Sequence, residues 1–203
     1  MKYALPFSFI FFVSCHNYKN GNPSSKLHPF SANDITIKLP KYFQKLSQEL
    51  LLPDISKGTD SFEIRIWRSL VITDIKTVTI VSCSNNKWHL SEIHYWITNK
   101  TNGSTYLVDS SSTYEILPQM SFTNIYDTIR GLHLEKIPYQ RDIPNFVDIT
   151  ADGNSYFIEI ADKNLYKTLL YINPASYQDP NNKKVAACIE FFNRQHLWYV
   201  IPL

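Results

Sequence analysis

Side-chain character switches every second residue along 61–67, where Phe62, Ile64 and Ile66 are interleaved with Glu63, Arg65 and Trp67. Successive side chains of a strand point to opposite faces, so this period belongs to an extended segment buried on one side. A second run, Thr77-Val78-Thr79-Ile80-Val81, is rich in β-branched residues, and residues 88–97 read as a third. Ser84-Asn85-Asn86-Lys87 fits a tight turn between them. Residues 99–104, with Gly103, break the third run, and Thr105-Tyr106-Leu107-Val108 adds a short fourth before a polar Ser110-Ser111-Ser112 turn. Connections this short cannot hold the crossover that parallel strands need, so the pattern predicts an antiparallel meander.

Helical signals interrupt and close this sheet. Residues 39–51 place Tyr42, Phe43, Leu46 and Leu50 on one side, with Pro40 early and Pro53 just beyond. Ser121 can cap a helix whose Phe122, Ile125, Tyr126, Ile129 and His133 share a face. Asp179-Pro180 is a cap followed by a first-turn proline, and Val185, Cys188, Ile189 and Phe192 form the stripe behind it. Between those helices, Asp152-Gly153-Asn154 turns into 156–161, and Asp162-Lys163-Asn164 reverses into 165–172, a second hairpin. The expectation is an α+β fold: an antiparallel sheet of about five to seven strands with two or three packed helices. Neither an internal repeat nor a second linker divides residues 34–203, which read as a single domain.

Composition narrows the function. Of 203 residues, 44% are hydrophobic and 19% charged, enough apolar material for a core. A formal charge of +2, with Lys and Arg scattered, supplies none of the concentrated basic surface that nucleic acid requires. The five glycines lie far apart, so neither a P-loop nor a dinucleotide-binding loop can be assembled. No cofactor is implied.

The N-terminus carries an address. Lys2 precedes an apolar stretch, Ala4-Leu5-Pro6-Phe7-Ser8-Phe9-Ile10-Phe11-Phe12-Val13, then Ser14 and Cys15. A basic start, an apolar middle and a small residue at the cut make a secretory leader, too short for the roughly 20 residues of a membrane-spanning helix. Phe12-Val13-Ser14-Cys15 resembles the lipobox of bacterial lipoproteins, although that family most often carries Leu where Phe12 stands. The resemblance implies removal of 1–14 and lipid attachment at Cys15, and two or more acyl chains hold a protein at a membrane where one cannot. Residues 15–33, polar and almost free of aliphatic side chains, read as a flexible tether. No acidic residue follows Cys15 directly, which by lipoprotein sorting rules points to the outer membrane, facing the periplasm.

Candidate chemistry is sparse. Cys83 and Cys188 could form a disulfide in an oxidising compartment, or could stay as two buried thiols. His89 and His94 fall on opposite faces of a strand, His133 and His196 stand apart, and no spacing matches a zinc site, so no metal ligands are assigned. A serine nucleophile lacks the Gly-x-Ser-x-Gly elbow. Glu63, Glu92, Glu115 and Glu159 are strand-borne carboxylates that alternation places toward solvent, so no catalytic residue is assigned. The remaining feature is Trp88, Glu92, His94 and Trp96, which with Leu90 share one face of a regular strand. That face is either a platform for a sugar or a partner's side chains, or core with Glu92 and His94 at its rim.

The order Ser61-Phe62-Glu63-Ile64-Arg65-Ile66-Trp67, Asp152-Gly153, Tyr156-Phe157-Ile158-Glu159-Ile160 and Tyr171-Ile172-Asn173-Pro174 before a last helix resembles a group of small bacterial lipoproteins of no established activity. The resemblance implies one secreted domain and transfers no active residue. The expectation is a non-enzymatic, membrane-anchored binding or accessory protein of the cell envelope, meeting an envelope protein or a glycan. An inhibitor or immunity-type lipoprotein and a carbohydrate-associated protein are the alternatives.

Overall fold

Short connections set the order of the sheet. The computed structural model describes residues 38–69, 75–99, 106–148 and 153–195; the leader, Cys15, the whole tether and His196 lie outside them. Helix α1 (Lys38–Glu49) precedes β1 (Phe62–Ser69), β2 (Ile75–Ser84), β3 (Lys87–Asn99) and β4 (Tyr106–Glu115). Helix α2 (Phe122–Gly131), the hairpin β5 (Ser155–Asp162) and β6 (Leu165–Ile172), and α3 (Pro180–Gln195) follow. The strands form one antiparallel sheet in the order β4-β3-β2-β1-β5-β6, so the fold is α+β as the patterning predicts.

The predicted local signals fall where the structure turns. Asn85 and Asn86 take φ of 51° and 62°, a left-handed pair that closes a two-residue hairpin between Ser84 and Lys87. Asparagine tolerates that region better than most residues, and the turn's twist matches that of its strands. The Ser121 hydroxyl accepts the Asn124 N–H at 3.2 Å, and one Asp179 carboxylate oxygen accepts the Asn181 and Asn182 N–H groups at 3.0 and 3.1 Å. Both helices therefore start with satisfied caps. Gly58 has φ +91°, and a Cβ there would stand 2.8 Å from the Asp162 carbonyl oxygen, so only glycine fits.

Two expectations are corrected. Ser110, Ser111 and Ser112 are not a turn but the middle of β4, because β3 is 13 residues long and its backbone ladder carries them to Glu115. His133 is not on the α2 face: the helix ends at Gly131, and His133 stands at φ 51° ahead of a 3₁₀ turn at Leu134–Lys136.

Apolar layers lie on both sides of the sheet. On one side Phe62, Ile64 and Ile66 of β1, with Val81, Cys83, Leu90, Ile158, Ile160, Leu169 and Tyr171, pack under Ile125 and Ile129 of α2 and Val185, Cys188, Ile189 and Phe192 of α3. On the other, Trp67, Val78, Ile80, Ile93, Tyr95 and Phe157 meet Leu46 of α1. Phe43 stacks on Phe157 at 4.0 Å between ring centres. Strand β1 is therefore covered on both faces, not half-buried as its alternation implies. Of the two readings of Cys83 and Cys188, the structure has two free, buried thiols and no bridge. They fill space in the first layer, where burial pushes the Cys188 thiol up to about 12.

Strand β6 is an edge, and its last residue is capped. The Gln140 amide accepts the Ile172 N–H at 2.8 Å and donates to the Ile172 carbonyl at 2.9 Å, as a neighbouring strand would. The same nitrogen reaches Asn182 of α3 at 2.7 Å, and Tyr139 shares a hydrogen bond with Thr168. Truncating a buried partner leaves these groups unsatisfied, at about 1–3 kcal/mol. Gln140→Ala is expected to lower the urea midpoint by that equivalent, with faster amide exchange at Ile172; an unchanged midpoint contradicts this role.

Candidate functional site

Strand β3 carries one row of side chains from core to solvent. Its register with β2 pairs Cys83 with Trp88, Val81 with Leu90, Thr79 with Glu92 and Thr77 with His94, so Trp88, Leu90, Glu92, His94 and Trp96 do share a face. Helix α2 covers the start of the row. The Trp88 ring stacks on Phe122 at 5.8 Å and meets Tyr126 at 5.7 Å and Phe62 at 6.1 Å. Trp88 is thus half-buried, its ring packed against the core under α2.

Past Leu90 the row becomes polar and half-open. Glu92 Oε1 lies 2.5 Å from His94 Nε2, and the Thr79 hydroxyl donates to Glu92 Oε2 at 3.1 Å. Side-chain exposure is 17% for Glu92 and 34% for His94, so the pair sits at the boundary of the core. With the carboxylate accepting, the proton sits on Nε2 and the ring is held in one orientation. Tyr114 of β4, opposite Glu92 in the ladder, sets its ring edge-on to His94 at 5.1 Å. Ser112 stands opposite His94, and Ser110 opposite the half-buried Trp96. The result is an imidazole, a carboxylate, two rings and several hydroxyls on one twisted surface. It can donate and accept hydrogen bonds and offer an aromatic edge or face.

A second polar centre lies beneath α1. Expected at the surface, Glu63 and Glu159 are 7% and 2% exposed, and Arg65 is 1%. The reason is the cover that α1 and its following loop provide. Arg65 Nε donates to Glu63 Oε1 at 2.6 Å, and its other nitrogens reach the Ser47 hydroxyl at 3.1 Å and the Pro53 carbonyl at 2.6 Å. Glu159, opposite Arg65 in the ladder, accepts from Trp67 Nε1 at 2.6 Å and from the Tyr166 hydroxyl at 2.8 Å. Burial raises the Glu159 carboxyl above its ordinary value, with Arg65, Trp67 and Tyr166 opposing and Glu63 reinforcing the rise. Tyr166 is raised in turn by burial and by the Glu159 charge it faces.

Beside this cluster is a cavity of about 50 Å³ lined by Gln44, Ser47, Gln48, Leu52, Asp54, Ile55, Arg65 and Glu159. That suits a few water molecules; small-molecule pockets run to about 300–1,000 Å³. The cluster's geometry is that of a closed structural network, two acids around one guanidinium. Its sequence signal was present but different in kind: Phe62-Glu63-Ile64-Arg65-Ile66-Trp67 and Tyr156-Phe157-Ile158-Glu159-Ile160-Ala161 have large or apolar residues on both parities, the mark of strands buried twice over. Glu115 is exposed on β4, and Glu92 is the one acid of the four that joins the open face.

Among the described residues no three His, Cys, Asp or Glu side chains converge as a metal site would require, and no helix is long and apolar enough to cross a membrane. Compared with protein-family models, curated proteins and solved structures, the chain matches none.

Glu159 generates a prediction with a definite sign. Its folded value lies above the unfolded one, so the native state holds the proton more tightly. Stability contributed this way is full below about pH 4.5 and falls as pH rises through the folded value. Glu159→Gln keeps an acceptor for Trp67 and a donor for Tyr166 while removing the charge. The variant is expected to lose that decline, matching or exceeding the wild type at pH 7 in urea unfolding. A steeper fall with pH in the variant contradicts the assignment.

Proposed function

We propose that the chain is a membrane-anchored, non-enzymatic binding or accessory lipoprotein of the bacterial envelope, tethered through lipid on Cys15 and meeting its partner with the open part of β3 and β4. The address rests on the leader, the lipobox-like Phe12-Val13-Ser14-Cys15 and the polar tether. The recognition surface rests on one observation: the Glu92–His94 pair, with Thr79 behind it and Tyr114 beside it, emerges where helix cover stops. Polar groups held in one orientation before contact lose little entropy on binding, which favours a recognition role for such a face. The want of an acidic residue directly after Cys15 supports an anchor in the outer membrane, with the domain facing the periplasm.

A glycan is the second reading, favoured by the Trp96 and Tyr114 rings flanking the pair, since sugars stack their apolar faces on aromatic side chains. Tryptophan emission that shifts with a defined oligosaccharide, and stops shifting in Trp96→Ala, supports it; silence across a glycan panel removes it.

The main reading has separate tests for address and face. A palmitate analogue is expected to label the wild type and not Cys15→Ala, which leaves the membrane pellet; label retained in the variant defeats the anchor. For the face, the lipidated full chain is cross-linked in intact envelopes. A His94→Ala/Trp96→Ala variant is expected to lose at least tenfold of the cross-linked product with an unchanged circular dichroism spectrum. Full yield from that variant defeats the face.

A further inference from the structure

Arg68, near the end of β1, is a half-buried cation without an acid. Arg65, Arg130 and Arg194 each pair with a carboxylate, whereas among the described residues none pairs with Arg68. Its Nη1 donates to the Asn193 side-chain oxygen of α3 at 3.3 Å, longer than the roughly 2.7–2.9 Å of a charge-assisted bond. The Nε–H is enclosed and has no acceptor, and Nη2 makes no hydrogen bond among the described residues. Tyr156, opposite on β5, sets its ring centre 5.9 Å from the guanidinium carbon. Buried donors nearly always have an acceptor, so this one sets Arg68 apart. Nε and Nη2 share one edge of the guanidinium, where two parallel N–H groups match both oxygens of a carboxylate.

The register puts this edge on the half-open face. Arg68 of β1, Thr77 of β2, His94 of β3 and Ser112 of β4 stand opposite one another in turn, so their side chains make one row. Cover thins along it: Thr77 is half-buried, the His94 side chain is 34% exposed, and Ser112 is exposed. Three strand steps of about 4.8 Å make a row about 14 Å long, which a short chain of sugar rings spans. Thr77 and Ser112 bring hydroxyls, and His94, with Nε2 against Glu92, has Nδ1 to offer. Glu92 lies two strands from Arg68 and is engaged by Thr79 and His94, so it does not neutralise the guanidinium. We propose that this face binds an acidic oligosaccharide, with a uronic-acid carboxylate on the Nε–Nη2 edge of Arg68. Sugar hydroxyls then meet Thr77, His94 and Ser112 along the row. Because Nε is enclosed, seating the second carboxylate oxygen requires the side chain to turn, and the long bond to Asn193 yields easily. A neutral glycan would leave the cation unpaired, and an acidic peptide would use Arg68 but not the hydroxyls beyond it. This inference rests on the glycan reading of the face and names the class of sugar.

The test titrates the full chain with tetragalacturonic acid, its methyl ester and tetraglutamate, reading tryptophan emission and the Arg68 Nε–H proton resonance. The acidic sugar is expected to bind about tenfold more tightly than the ester and to move the Nε–H resonance downfield. That preference is expected to vanish in Arg68→Gln. Arg68→Lys, which keeps the charge but not the paired N–H edge, is expected to restore only a minor part of it. Should Arg68→Gln fail to fold, the Nε–H resonance of the wild type decides. Four results overturn the proposal: acid and ester bind alike, the preference survives in folded Arg68→Gln, the Nε–H resonance stays still while the acid binds, or tetraglutamate binds as tightly as the acidic sugar. The first leaves the glycan reading standing if emission stops shifting in Trp96→Ala, and the last assigns the face to an acidic segment of a protein. No response to either sugar overturns the inference alone; silence across the wider glycan panel removes the glycan reading with it.

Discussion

The structure depends on burying a guanidinium in the middle of a sheet. Strand β1 is paired along its length with β2 and β5 and covered on both faces, yet it carries Glu63 and Arg65. A buried charge is costly unless its partners are in place, and here they come from several parts of the chain. Glu63 supplies the counter-charge, and Ser47 of α1 and the Pro53 carbonyl after it take further donors. The cluster therefore fixes α1 over the sheet more specifically than apolar contact alone would. Phe43 and Leu46 provide the area, and Arg65 provides the direction. Position on the helix then carries Glu49 to the start of β4, so a demand created at the sheet centre reaches its edge.

Cover declines outward from that centre on one side. Strands β1 and β5 are buried twice, β2 and the first part of β3 are under helices, and residues 109–115 of β4 are exposed. On the opposite side, β6 receives the 134–142 segment. The asymmetry follows from connection length. The hairpin between β5 and β6 is tight, and the segment between α2 and β5 must pass this edge to rejoin the sheet, so its Gln140 and Tyr139 are delivered to β6. No comparable described segment passes β4. Exposed polar side chains accordingly collect at one corner.

Much of the architecture was legible because it is written locally. Turns at Asn85-Asn86, caps at Ser121 and Asp179, and the period of two along β1 and β3 act over a few residues each, and all lead to the antiparallel order observed. What escaped depended on distant chain. Nothing near Glu159 announces that α1, more than 100 residues earlier, will lie above it. Alternation alone assigns an acid to solvent, whereas doubly buried strands turn the same acid inward. The Ser110-Ser111-Ser112 run departs from the expected turn for a related reason: serine has a turn's composition, and only the length of the neighbouring β3 makes the run extended. For the half-open face, alternation suffices to align Trp88, Glu92, His94 and Trp96 but not to locate the point at which α2 stops covering them.

That point determines what the row can do. A strand has no freedom to rotate one residue without its neighbours, because alternation ties every side chain to the same pleat. Trp88, locked among Phe62, Phe122 and Tyr126, sets the facing of Glu92, His94 and Trp96 further along. The Glu92–His94 contact at 2.5 Å and the Thr79 hydroxyl then fix the remaining side-chain torsions. The orientation of the half-exposed imidazole is thus inherited from the core, with a ring at one end of the strand acting as anchor for a polar pair at its middle. A partner that binds there meets groups already placed, and the cost of placing them was met when the sheet folded.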